Sequence, residues 1–62
     1  METKKYGDHL ILWAVIDYDG DDEKTVAHFK DPNKAALYAL RNRMSGVQMS
    51  LCRPEWNIKT ED

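Results

Sequence analysis

Sixty-two residues with 11 acidic and 9 basic side chains, net charge −2, are too few for a second domain and too balanced to point to a nucleic acid or a membrane surface. A chain this short buries only about 60% of the surface that its unfolded form exposes. Its single cysteine, Cys52, excludes an internal disulfide and leaves a structural zinc site short of ligands.

Met1 to Asp8 (METKKYGD) is polar and contains a glycine, so it reads as a short lead-in or a frayed end. The run Leu10 to Tyr18 (LILWAVIDY) follows. It is far shorter than the ~20 residues of a membrane-spanning helix. Its flanks, Asp8 and His9 before it and an acidic turn after it, are not those of a signal peptide. A lone thiol suits a reducing compartment, so a soluble cytoplasmic protein is expected. The run does not alternate, which describes a strand from His9 to about Tyr18 that is covered on both faces. Asp19-Gly20 is a hairpin signal, and Lys24 to Lys30 (KTVAHFK) is rich in strand formers. A two-residue or a four-residue loop gives the same facing. Leu10, Leu12, Ala14 and Ile16 share one side with Thr25, Ala27 and Phe29, and Ile11, Trp13 and Val15 share the other with Val26 and His28. The longer loop is preferred, because it sets Leu12 opposite Phe29 and Val15 opposite Val26.

Asp31-Pro32 begins a helix, with Asp as N-cap and Pro at the first helical position. The helix is expected to run to about Ser45, with Gly46 as its C-cap. Asn33, Ala36, Leu37, Leu40 and Met44 fall within an arc of about 100°, the width of a core-facing stripe, and Lys34, Tyr38 and Arg41 fall on the far side. Val47 to Cys52 alternates as a half-covered strand, until Pro54 breaks the phase and gives Trp56 and Ile58 the opposite parity. Lys59 to Asp62 is a polar tail. The expected fold is therefore a small α+β domain of order β-β-α-β. Its three-stranded antiparallel sheet, in the order 2-1-3, carries one helix on one face.

One helix covers one face only, so the sheet face with Ile11, Trp13, Val15, Val26 and His28 is expected to lie open. Its candidate covers are a second copy of the chain, a different protein, or the segment with Trp56 and Ile58 folding back. A second surface is the acidic tip: Asp17, Asp19, Asp21, Asp22 and Glu23 place five of the eleven acids within seven residues. The tip is not a calcium loop. Counting from Asp17, Asp22 stands where an EF-hand needs Gly, and His28 stands where it needs Glu. It reads as a turn whose charges oppose edge aggregation, or as carboxylates that steer toward a basic groove.

No catalytic motif is present: there is no phosphate loop, nucleophile elbow, CxxC or HExxH. His28 and Cys52 sit on the two outer strands of the expected sheet, roughly 9–10 Å apart, beyond reach of each other as an activated pair. No cofactor or metal is implied. These readings converge on a non-enzymatic protein–protein interaction module. It would be a homodimer that inhibits or regulates another macromolecule, in the manner of phage-encoded inhibitors of host systems and other small accessory proteins. The alternative is a nucleic-acid or nucleotide binding module that uses Lys34, Tyr38 and Arg41, a weak signal on an acidic chain.

Overall fold

The computed structural model describes residues 3–62, so Met1 and Glu2 of the expected lead-in lie outside the described residues. The elements are β1 (Lys4–Tyr6), β2 (His9–Asp19), β3 (Asp22–Phe29), α1 (Pro32–Arg41), β4 (Gly46–Cys52) and a 3-10 turn (Pro54–Trp56). They form an α+β fold with one helix and an antiparallel sheet of four strands. The sequence reading had three strands; the fourth is β1. Tyr6 pairs with His9 across a loop of Gly7 and Asp8, and Gly7 takes a φ of 59°, a conformation that glycine adopts without strain. The charge of Lys4 and Lys5 hid this hairpin.

β2 is the hub of the sheet. β4 pairs with it from Leu10 to Ile16, and β1 and β3 pair with it over His9–Ile11 and Trp13–Asp19. Because Leu10 and Ile11 pair with both β1 and β4, and Trp13 to Ile16 with both β3 and β4, β1 and β3 lie end to end along one edge of β2. β4 holds the other edge.

The expected facing fails at one residue. From the turn, Asp19 pairs with Asp22 and Ile16 with Thr25, the register of the longer-loop alternative, although the loop itself is only Gly20 and Asp21. The register then shifts: Val15 pairs with Ala27 and Trp13 with Phe29, so that Val26 is an extra residue on β3. This is a β-bulge, two residues opposing one. It reverses the parity of everything beyond it. Trp13 and Val15 therefore share a face with Ala27 and Phe29, and Leu12 and Ala14 share the other with His28.

α1 packs on the Val15 side. Val15, Ala27, Phe29, Ala35 and Ala39 form the main buried cluster, with Trp13, Val26, Tyr38, Met44 and Val47 packed against it. The helix meets the sheet through small side chains four residues apart, and stepping about 100° per residue puts Leu37 and Leu40 on the opposite crest. Of the expected inward stripe, Asn33, Ala36, Leu37 and Leu40 are thus turned outward and exposed, and Met44, beyond the end of the helix, packs against the core. Asp31 caps the helix as expected, its Oδ1 accepting the Asn33 N–H at 2.9 Å. The helix ends at Arg41, earlier than expected. Arg43, at φ 54°, closes it, and the Met44 N–H donates back to the Ala39 carbonyl at 2.9 Å. Gly46 opens β4 and does not cap the helix.

The second face of the sheet is closed by the C-terminal segment. β4 and β3 hold opposite edges, so the chain leaving Cys52 must cross one face for the Glu61 N–H to reach the His28 carbonyl at 2.9 Å. Leu12, Ala14 and Cys52, which point away from α1, are buried, and Ile58 and Thr60 are half-buried. The crossing therefore takes the side opposite α1. The Asp62 carboxylate then accepts the N–H groups of Lys30 (2.9 Å) and Asp31 (3.0 Å). The segment after Cys52 is thus a strap across the back of the sheet. Its folding back was one of the expected covers, but it lies over the Leu12 and Ala14 face and not the Trp13 face, and the expected polar tail from Lys59 to Asp62 anchors its end.

Candidate interaction surface

The residues expected to form one open apolar patch are divided between two covered faces. Val15 is fully buried (0% exposed) beneath α1, so it is not available to a partner. Trp13 is half-buried on the same side, and its Nε1 has no hydrogen-bond acceptor among the described residues. Ile11 is half-buried opposite Leu51, and Val26 is half-buried at the bulge. His28 faces the other way, half-buried opposite Ala14, with Ile58 of the strap half-buried on that side too. Trp56, expected with Ile58 as a candidate cover or contact, is exposed. The physical cause is the bulge: by moving Trp13 and Val15 onto the face of Ala27 and Phe29, it sets that face under the helix.

The apolar surface left in solvent lies elsewhere. On the crest of α1, Leu40 is 77% exposed and Leu37 46% exposed. On β4, Met49 is 55% and Leu51 41% exposed, whereas Val47, nearer the end of the helix, packs against the core. The leucines were legible as an apolar helix stripe; their direction was not. Residue size suggested leucine inside and alanine neutral, whereas the close approach of α1 requires the reverse.

The acidic tip stands as expected at the β2–β3 turn. Asp19, Asp21, Asp22 and Glu23 are exposed, and Asp19 lies directly opposite Asp22. Asp17 is set apart from them. It is half-buried opposite Lys24, and its Oδ1 accepts the Ser45 hydroxyl at 2.9 Å. Among the described residues no three His, Cys, Asp or Glu side chains are grouped as metal ligands.

Lys34, Tyr38 and Arg41 line a cleft of about 340 Å³ with Phe29, Glu61 and Asp62. Tyr38 leans on Phe29, ring centroids 5.3 Å apart at 54°. The cleft therefore carries both signs of charge, and the strap's acids stand beside the cations that a phosphate backbone would need. For Asp62, desolvation acts to raise the pKa. It is outweighed by the hydrogen bonds from Lys30, Asp31 and its own backbone and by the charge of Lys34, which together hold it below the ordinary aspartate value. Cys52 is buried with its Sγ 3.3 Å from the Ser50 hydroxyl, and it pairs with Leu10 while His28 pairs with Ala14. The two reactive side chains are thus separated by strand β2 and by four positions along it. No helix among the described residues is long and apolar enough to cross a membrane. A scan against protein-family models finds no match, and searches of curated proteins and of solved structures find none either.

Proposed function

We infer that the protein is a non-enzymatic interaction module that docks on another protein and regulates or inhibits it through the outer crest of α1. The observation that carries this reading is the rolled helix, with Ala35 and Ala39 on the sheet and Leu37 and Leu40 in water. A helix of ten residues with two solvent-facing leucines one turn apart offers the anchors by which an amphipathic helix enters an apolar groove. The acidic tip supplies long-range attraction toward a basic partner, acting on the rate of encounter more than on the lifetime of the complex.

Site-specific photo-cross-linking in the organism that makes the protein tests this. A photoreactive phenylalanine replacing Leu40 should yield one dominant adduct that excess wild-type protein suppresses and excess Leu37→Glu/Leu40→Glu protein does not. The same probe replacing Lys24 should yield none. Identical adducts from both positions would return the crest to being ordinary surface. Reversing Asp19, Asp21 and Asp22 to Lys should lower the yield at position 40, the more so at low ionic strength.

A further inference from the structure

The sheet treats its edges unequally. β1 carries Lys4 and Lys5 on its three residues. β3 carries Asp22, Glu23 and Lys24, and its far end is occupied by the strap, through the Glu61 N–H on the His28 carbonyl. Charge and coverage are the devices by which natural sheets prevent their edges from pairing with other chains. β4 has neither. Gly46–Cys52 (GVQMSLC) contains no charged residue and no proline in a chain that is 32% charged, and among the described residues only β2 pairs with it.

We propose that β4 is the seam of a homodimer: two copies join edge to edge and antiparallel about a two-fold axis at Met49, fusing their sheets into one. The strand's own pattern selects a second copy as the occupant. About Met49 its chemistry is symmetric, so that antiparallel self-pairing sets Val47 against Leu51, Gln48 against Ser50 and Met49 against Met49. An isologous interface must present such a self-complementary patch. On the α1 side the seam is wholly apolar, with half-buried Val47 and the exposed side chains of Met49 and Leu51 from each copy. On the strap side the facing Gln48 and Ser50 hydrogen-bond across it. The strand brings no like charges together, and pairing satisfies the outward-facing main-chain groups of alternate residues along the seven-residue strand. This goes beyond the partner-binding reading and uses β4, whereas that reading uses α1, so either can fail without the other.

Analytical ultracentrifugation over a range of protein concentrations is the test. Wild-type protein should sediment as a dimer, and Met49→Lys, which sets two ammonium groups face to face on the axis, should raise the dissociation constant by at least about tenfold. Circular dichroism should show the variant folded, since Met49 is an exposed position. Leu37→Glu/Leu40→Glu should leave the dimer intact. In a Cys52→Ser background, Met49→Cys should form a covalent dimer on mild oxidation, because residues paired across an antiparallel seam lie within disulfide reach; Lys24→Cys should not. A monomer at every concentration, or a dimer that Met49→Lys leaves as tight, overturns the proposal.

Discussion

Ala35 and Ala39 decide which way the helix faces. Each buries little side-chain area, yet together they let α1 lie close enough to the sheet for Val15, Phe29 and Tyr38 to fill the space beneath it. Enlarging one of them should lift the helix, so Ala39→Leu is expected to cost about 1–3 kcal/mol, the usual range for overpacking. Leu40→Ala, by contrast, removes a side chain that touches mostly water and should change stability by no more than about 0.5 kcal/mol. Urea unfolding at constant m-value measures both, and the reverse order of costs would mean that the leucines face the sheet.

Asp62 gives a second test at the same scale. Its carboxylate is ionised when it accepts the Lys30 and Asp31 N–H groups, and its pKa lies below the ordinary value of 3.8. The sign follows from that depression. The stabilisation is present in full above the ordinary value and is lost as pH falls through the lower, folded one. The amide proton shifts of Lys30 and Asp31 should therefore move together with a midpoint below 3.8, and Asp62→Asn should abolish the transition. A midpoint at or above that value would show that the strap is not held through this carboxylate.

Among the elements, the β2–β3 hairpin, the Asp31-Pro32 helix start and the alternating β4 were all legible in the residues, because turn chemistry, capping and a period of two are local properties. The strand β1 was missed although Gly7-Asp8 between Tyr6 and His9 is a two-residue turn of the kind that admits glycine first. The side of the sheet that the helix would choose was not legible. Val26, flanked by Thr25 and Ala27, gives no local sign that it is supernumerary, and one inserted residue exchanges the inner and outer faces of the hairpin. The expected interface at Trp13 and Val15 therefore lies on the helix-covered face. Deleting Val26 should restore regular pairing and send Ala27 and Phe29 to the wrong side, abolishing the cooperative thermal transition. Val26→Ala, which keeps the count, should cost about 1 kcal/mol. If the deletion variant melts like the wild type, the bulge does not set the facing.

For the molecule as a whole, the distribution of surfaces follows from that exchange. α1 protects one face of the sheet and the strap the other, so the large apolar side chains left in solvent are those of the helix crest (Leu37, Leu40), of β4 (Met49, Leu51) and of the separate positions Tyr6, Tyr18 and Trp56, with the acidic tip at the turn between β2 and β3. The crest adjoins the cleft of Lys34 and Arg41, which Leu37 also lines and whose charge Glu61 and Asp62 offset.

The strap also bears on the order of events in time. Hairpin contacts close short loops, whereas Lys30 and Asp62 are 32 residues apart, so their contact closes a far longer loop and is expected to form late. Interactions made that late are absent from the folding transition state, and such interactions govern unfolding alone. Asp62→Ala should accordingly steepen nothing and shift only one limb of the chevron, speeding unfolding while leaving the folding rate of the wild type. The β2–β3 hairpin would set how fast this protein reaches its native state, and a single carboxylate on the strap how long it remains there.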